Sequence, residues 1–207
     1  MTQVKICGLK DPVAFDATIK AGADYAGLVF YPPSPRFVCL TQAAHLAQRH
    51  RGQTKLVGLF VSPTVEHVST VLKTVALDIL QIYGSPDEAI ALRRHLGCPV
   101  WRQLGVASVA DFPEDAETLD GFVVEAKPPT GATRPGGNGM VADWGLLAGF
   151  KPACPWLLAG GLTPENVGTA LARVKAPGVD VSSGVETAPG QKSPALIMSF
   201  IEAVRGL

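Results

Sequence analysis

The 207-residue sequence has no excess of charge of either sign and no long apolar run. Its 18 Lys and Arg residues balance 18 Asp and Glu residues, so the composition does not favour nucleic acid or a membrane surface as a partner. No apolar stretch approaches the roughly 18 residues that span a bilayer, and the first residues lack the apolar segment of a signal peptide. We therefore expect a cytoplasmic globular protein that binds neither nucleic acid nor membranes.

Cysteine is scarce and scattered. The four cysteines are Cys7, Cys39, Cys98 and Cys154. Because no two of them form a C-x-x-C pair, neither a zinc site nor a disulfide framework is indicated. The four histidines all fall in segments predicted to be helical, away from the strand ends. We therefore expect reduced thiols, no bound metal, and proton transfer by side chains other than histidine.

What the sequence does contain is one pattern repeated eight times: an apolar run, a turn, and a stretch with apolar residues at i, i+3 and i+4. The predicted strands are 4–7, 26–30, 56–61, 79–83, 100–104, 121–125, 156–159 and 179–182. The predicted helices are 12–21, 41–49, 65–75, 87–96, 109–115, 144–149, 164–174 and 194–205. This alternation predicts a compact single-domain (β/α)8 barrel, the TIM-barrel architecture, with few insertions over residues 1–207.

An open, doubly wound sheet is the alternative fold, because alternation of strands and helices occurs in both. Two features favour a closed barrel: the number of strands, and the absence of a G-x-G-x-x-G motif after the first strand. A Gly- and Pro-rich segment over 128–139 lies between strand 6 and its helix. Its length predicts a mobile active-site loop rather than a linker between domains.

The alternation of side chains along the first and last strands places charged groups inside the barrel. Lys5 and Cys7 share one face of strand 1, and Asp180 and Ser182 share one face of strand 8. Closure makes these strands neighbours, so the sequence predicts a buried Lys5–Asp180 ion pair below the active site. The alternative is that both side chains lie close enough to the mouth to need no partner.

Two groups capable of proton transfer end strands on the same rim. Cys7 ends strand 1 and Glu125 ends strand 6, and the carboxyl ends of barrel strands are where catalytic groups lie. Alone, Cys7 is typical of a small buried side chain and Glu125 of a solvated acid. Their shared placement favours a catalytic pair.

The remaining rim groups suggest an anionic substrate. Gly160 and Gly161 close strand 7, and Ser182, Ser183 and Gly184 close strand 8. Loops at these two positions form the phosphate site that is common in this architecture. After strand 2, Arg36 lies on a loop stiffened by proline and is suited to binding a carboxylate, although an ordinary surface arginine is the alternative.

Several segments together resemble the phosphoribosylanthranilate isomerase family. They are Lys5-Ile6-Cys7-Gly8, Gly27-Leu28-Val29-Phe30, Ser34-Pro35-Arg36-Phe37-Val38, the run from Asp78 to Gly84, the run from Leu158 to Val167, and the run from Gly178 to Glu186. The resemblance implies an Amadori rearrangement in tryptophan biosynthesis that uses no cofactor or metal. It also implies that Cys7 is the general base, that Arg36 binds the anthranilate carboxylate, and that the loops at 160–161 and 182–184 bind phosphate. Lys5, Gln81 and Asp180 would support the site.

The sequence departs from the family pattern at three places. Glu125 stands where the family usually has the aspartate that acts as general acid, and Tyr83 stands where histidine is common. The run 136–139 carries asparagine in place of the usual threonine or serine, and we expect the backbone to retreat there to accommodate the longer Glu125. Lys5 is expected to favour the thiolate of Cys7.

Two other functions stay open at this point. One is a barrel that binds a sugar phosphate but has lost catalysis, with Glu125 as the cause. The other is a different phosphosugar isomerase or epimerase. In either case the partner is a small molecule, and the protein is expected to be a monomer or a homodimer.

Overall fold

The structure, a computed structural model, describes residues 1–49, 54–113, 119–127 and 143–206. Eight parallel strands form a closed barrel in chain order, and the last strand pairs with the first. The strands are β1 (Gln3–Cys7), β2 (Tyr25–Val29), β3 (Lys55–Val61), β4 (Ile79–Tyr83), β5 (Val100–Val106), β6 (Gly121–Ala126), β7 (Trp156–Leu158) and β8 (Gly178–Val181). The predicted barrel is confirmed, and the open doubly wound sheet is wrong.

Helices connect the strands on the outside of the barrel. They are α1 (Pro12–Lys20), α2 (Leu40–Arg49), α3 (Val65–Leu72), α4 (Pro86–Leu96), α5 (Trp144–Leu147), α6 (Val167–Val174) and α7 (Pro194–Arg205). Several begin with strong local signals: Asp11, Ser85 and Ser193 cap α1, α4 and α7 with their side chains. Each of these helices then has proline at its first position, where a missing N–H costs nothing.

Three predicted helices differ by three residues or more in the structure. The helix expected over 65–75 ends at Leu72. The helix expected over 109–115 is a short 3-10 turn, Val109–Asp111, and Phe112 after it is extended with ψ 137°. Pro113 explains this end, because the residue before a proline is driven out of the helical region. The helix after β7 begins at Val167 rather than 164. Before it, the side chain of Asn166 accepts from the Thr163 N–H and donates to the Gly161 carbonyl, which holds these residues in a turn.

The barrel has two separate apolar regions. Outward-facing residues such as Val4 and Ile6 pack under the helices in the main core. Inside the barrel, a second cluster fills the lower interior and consists of Tyr25, Val57, Ile79, Trp101, Val123, Leu157 and Ala159. Along each strand every second residue faces the interior, so the residues two and four positions after these point toward the barrel mouth.

Three aspartates link neighbouring strands at the end of the barrel opposite the mouth. Asp24, Asp78 and Asp120 each precede an even-numbered strand, and each carboxylate accepts a hydrogen bond from a backbone N–H of the preceding odd strand at 2.7 to 2.9 Å. These contacts lie far from the carboxyl ends of the strands. They therefore serve the stability of the barrel, and the chemistry belongs to the other end.

A small hairpin follows β8 and covers one side of the mouth. It consists of β9 (Glu186–Ala188) and β10 (Gln191–Lys192), which pair antiparallel. The predicted active-site loop over 128–139 lies outside the described residues. Within the described ranges, no helix is both long enough and apolar enough to cross a membrane.

Candidate active site

A pocket opens at the carboxyl ends of the strands. Eight of the predicted site residues line it: Cys7, Glu125, Arg36, Gly160, Gly161, Ser182, Ser183 and Asp180. Tyr83 and Gln103 line it as well. Lys5, Gln81 and Gly184 are not among the lining residues. The described residues contain no cluster of three or more His, Cys, Asp or Glu side chains placed to hold a metal ion.

Lys5 and Asp180 form the predicted ion pair. They are register partners on β1 and β8, and Lys5 Nζ donates a hydrogen bond to Asp180 Oδ1 at 2.9 Å. The Lys5 side chain is completely buried. Burial lowers the pKa of Lys5, but the charges of Asp180 and Cys7 outweigh it, and the net pKa is raised above its ordinary value. Lys5 therefore remains an ammonium ion directly beneath the pocket.

Cys7 is buried at the tip of β1. Burial raises the pKa of its thiol above the ordinary value, although the positive charges of Lys5 and Lys192 act in the opposite direction. Lys5 thus acts as predicted, yet burial outweighs it in the free protein. Gly27 on β2 makes room for the thiol, since a Cβ atom there would lie 3.1 Å from Cys7 Sγ.

Glu125 lies at the penultimate position of β6 and is 7% exposed. Tyr83, at the end of β4, donates its hydroxyl to Glu125 Oε1 at 3.4 Å. Burial and the nearby carboxylate raise the pKa of Tyr83 well above its ordinary value, so its hydroxyl stays a donor. The β5–β6 register continues unbroken through Gly105 with Glu125 and Val106 with Ala126. The expected retreat of the backbone falls at 136–139, outside the described residues.

Arg36 belongs to a buried network of three charges. Its Nε donates to Glu186 Oε1 at 2.7 Å and its Nη2 to Glu186 Oε2 at 2.8 Å. Lys192 Nζ donates to the same Glu186 Oε1 at 2.8 Å. Two cations against one anion leave a net positive charge beside the pocket. Since Glu186 occupies one edge of the guanidinium, a ligand carboxylate would meet the other edge, formed by Nη1 and Nη2.

Gly8, next to Cys7, explains how the Arg36 side chain reaches this position. Its φ is 80°, and a Cβ atom there would collide with the Arg36 side chain. Glycine is thus required both by the backbone conformation and by the close passage of the arginine.

The loops after β7 and β8 form a small-residue rim. Gly160 and Gly161 have positive φ angles of 88° and 63°, which favours glycine. Ser182 is held by its hydroxyl, which donates to the Cys7 carbonyl at 3.1 Å, and by Lys192 Nζ, which donates to its carbonyl at 2.9 Å. These backbones can approach an anion closely, with the Lys192 charge behind them.

Gly184 has a packing role that the sequence did not reveal. A Cβ atom at this position would overlap the carbonyl oxygen of Leu162, so glycine allows the loop after β8 to pack on the loop after β7. The two halves of the rim depend on this contact for their relative position.

Three residues of the site were not predicted from the sequence: Glu186, Lys192 and Gln103. Glu186 and Lys192 lie on the hairpin after β8, where the short polar strands show no apolar alternation. Gln103 had a detectable signal, because it is a polar residue at an inward-facing position of an otherwise apolar strand.

Comparison with known proteins agrees with this geometry. The family model for N-(5′-phosphoribosyl)anthranilate (PRA) isomerase matches residues 4–203. The N-(5′-phosphoribosyl)anthranilate isomerase of Granulibacter bethesdensis is 48% identical over 206 residues, covering 99% of both chains.

Solved structures give the same result. The crystal structure of a phosphoribosyl anthranilate isomerase in complex with reduced 1-(o-carboxyphenylamino)-1-deoxyribulose 5-phosphate aligns over 100% of both chains, with a TM-score of 0.83 and 28% identity. A structure of monomers of the dimeric enzyme from Thermotoga maritima also covers 100% of both chains, with a TM-score of 0.80 and 29% identity. The match in sequence and in fold extends over essentially the whole molecule, and this chain belongs to the N-(5′-phosphoribosyl)anthranilate isomerase family.

Proposed function

We propose that this chain isomerises N-(5′-phosphoribosyl)anthranilate, the substrate named for its relatives, with Cys7 as general base and Glu125 as general acid. The observation that carries the proposal is that these two proton-transfer groups line one pocket together with Arg36 and the rim after β7 and β8. The pocket therefore combines groups for acid–base chemistry with groups for binding two anions.

The anionic groups of the substrate fix its orientation in this proposal. The backbone N–H groups of Gly160, Gly161, Ser182 and Ser183 and the hydroxyl of Ser183 bind the phosphate, while Gly184 packs the two loops against each other. The anthranilate carboxylate binds the open edge of Arg36, whose other edge is held by Glu186. A substrate anchored at both ends places its ribose between these sites, which is the region bounded by Cys7 and Glu125.

The reaction then begins with two proton transfers by these side chains. Protonated Glu125 gives its proton to the ribose ring oxygen as the anilino nitrogen forms a double bond to C1′, and the ring opens to a Schiff base. Cys7, as thiolate, removes the proton from C2′, and the electrons of that C–H bond form the enolamine. Tautomerisation to the ketone removes the proton of the C2′ hydroxyl and adds a proton at C1′. The first restores the acid form of Glu125 and the second comes from the Cys7 thiol, directly or through solvent, so both side chains return to their starting states and the composition is unchanged.

Two cations near Cys7 favour the thiolate that this role requires. Lys5 and Lys192 both act to lower the pKa of the thiol, whereas burial raises it. Lys5 is itself kept protonated by Asp180, so its charge is present throughout the physiological range of pH. The buried ammonium group of Lys5 thus provides a fixed positive charge that favours the thiolate of Cys7.

No cofactor is assigned to this reaction, because the chemistry is a redistribution of protons within one molecule. Cys7, Cys39 and Cys98 carry thiols rather than disulfides, which supports our proposal that the protein works in the reducing cytoplasm. We propose a monomer or a homodimer.

The direct test is the fluorescence of freshly prepared phosphoribosylanthranilate, which disappears on conversion to the ketose. Purified protein is expected to clear it at a catalytic rate and to rescue tryptophan auxotrophy in a cell that lacks this isomerase. Binding of the substrate without clearance would contradict the proposal and would favour a barrel that has lost catalysis.

A further inference from the structure

Two glutamines face each other inside the barrel, one layer below Tyr83 and Glu125. Gln81 lies two residues before Tyr83 on β4, and Gln103 lies two residues before Gly105, the register partner of Glu125. Gln81 Nε2 donates a hydrogen bond to Gln103 Oε1 at 2.8 Å. Both side chains are buried, with 1% and 8% of each residue exposed.

This pair leaves two polar atoms unsatisfied. Gln81 Oε1 and Gln103 Nε2 have no hydrogen-bond partner among the described residues. The cluster that surrounds them from below is apolar and includes Ile79, Trp101 and Val123. Because an unpaired buried amide destabilises a fold, a leucine-sized side chain would suit this position better if stability were the only requirement. The unsatisfied atoms therefore point to a ligand.

Only one of the two glutamines is in reach of a ligand. Gln103 lines the pocket together with Glu125 and Tyr83, whereas Gln81 does not. The hydrogen bond from Gln81 restrains the Gln103 amide. If the nitrogen and oxygen positions of both amides are exchanged, the hydrogen bond between the two side chains is kept, with Gln103 as its donor. The unsatisfied atoms are then Gln81 Nε2 and Gln103 Oε1, again one donor and one acceptor. A hydroxyl satisfies either end, because it both donates and accepts, whereas a carboxylate or phosphate only accepts.

We propose that Gln103 binds a hydroxyl group of the substrate's ribose, with Gln81 holding its amide in place. This inference rests on the proposed function, in which Glu125 acts on the ribose ring oxygen. The groups close to Glu125 are then ribose atoms, and the two anionic ends of the substrate lie at the β7–β8 rim and at Arg36. Gln103 thereby fixes the ring relative to the acid that opens it.

The test compares wild type with Gln103→Leu and with the double variant Gln81→Leu/Gln103→Leu. Gln103→Leu leaves the buried amide of Gln81 without its partner and could destabilise the protein, whereas the double variant removes both amides and leaves neither unpaired. The readouts are kcat/KM, thermal stability, and calorimetric affinity for reduced 1-(o-carboxyphenylamino)-1-deoxyribulose 5-phosphate. Gln42→Leu is the matched control, because it removes an exposed glutamine of α2 whose side chain also accepts one hydrogen bond, from the Cys39 N–H, but lies outside the pocket. We expect both leucine variants to lose about tenfold in kcat/KM and in analogue affinity, as for one lost hydrogen bond. The double variant is expected to be at least as stable as wild type.

The outcomes separate this inference from the proposed function. Wild-type kcat/KM and analogue affinity in the leucine variants, beside an active wild type, would overturn only the role of Gln103. A wild-type protein that neither converts the substrate nor binds the analogue would overturn both. A second analogue with its ribose-derived hydroxyls replaced by hydrogen should bind wild type and Gln103→Leu equally, and a difference between them would count against a hydroxyl as the ligand.

Discussion

The carboxylate of Glu186 holds the guanidinium of Arg36 through two hydrogen bonds, at 2.7 Å and 2.8 Å, across 150 residues of sequence. The same carboxylate is shared with Lys192. Burial raises the pKa of Glu186, but Arg36 and Lys192 outweigh it and lower the net pKa below its ordinary value. Glu186 is therefore an anion at neutral pH, and it holds the Arg36 guanidinium in position beside the pocket.

Glu186→Gln is expected to weaken substrate binding more than turnover. Without the negative charge, Arg36 and Lys192 are buried cations with no counter-charge, and the free energy of unfolding should fall by about 3 kcal/mol. We expect KM to rise about tenfold with kcat within a few-fold of wild type. Steady-state kinetics measure KM and kcat, and chemical denaturation measures the free energy of unfolding. Glu66→Gln, an exposed change on α3, is the control. An unchanged KM would mean that Arg36 is positioned without Glu186.

The Lys5–Asp180 pair should show strong coupling in a double-mutant cycle. Lys5→Met and Asp180→Leu each leave one buried charge unpaired, which costs about 3–5 kcal/mol of stability. The double variant removes both charges and should recover most of that loss. Denaturant unfolding of the four proteins gives the coupling energy. Additive losses would show that the two charges do not depend on each other.

Tyr83 should act on catalysis through Glu125. Tyr83→Phe removes the hydroxyl that donates to Glu125 Oε1 but keeps the ring, so the carboxyl loses one restraint. We expect kcat to fall about tenfold while KM changes by less than about twofold, as for one lost hydrogen bond. Tyr83→His, which restores a donor, should recover part of the loss. Equal activity of the phenylalanine and histidine variants would argue against a role for the donor.

Cys7 should react slowly with alkylating reagents at neutral pH. Burial raises the pKa of its thiol, so in the free protein the thiolate forms only above the roughly 8.5 of an ordinary cysteine. The rate of alkylation by iodoacetamide should therefore increase with pH and reach its midpoint above that value. Mass spectrometry of the Cys7 peptide measures the rate, and Cys7→Ser gives the background from the other three cysteines. A midpoint near neutral pH would mean that Lys5 and Lys192 dominate over burial.

The parts of the fold that follow from local periodicity were predictable. The period of two in β1 and β8 placed Lys5 and Asp180 inside the barrel, and closure then made them partners. The alternation of strands and helices gave the number of strands, although Pro113 shortened one helix and the turn at Asn166 delayed another. These two errors arose from proline and side-chain contacts that a hydrophobic pattern does not contain.

The site was only partly predictable, for a physical reason. Strand ends identify which residues reach the rim, so Cys7, Glu125 and the small residues after β7 and β8 could be named. Glu186 could not be paired with Arg36, because nothing local connects a polar hairpin to a loop 150 residues away. Gln81 was named as a supporting residue and Gln103 could have been noticed from its inward position, but their hydrogen bond required the register between β4 and β5.

The proton-transfer roles of Cys7 and Glu125 are tested most directly by the turnover of Cys7→Ser and Glu125→Gln, measured beside the affinity of each variant for reduced 1-(o-carboxyphenylamino)-1-deoxyribulose 5-phosphate. Each substitution keeps the size of the side chain but removes the base or the acid. We predict that kcat falls by about 10²–10⁴-fold in each variant, while the dissociation constant of the analogue stays within about threefold of wild type. Turnover close to wild type in either variant would contradict the assignment of these two groups to the proton transfers.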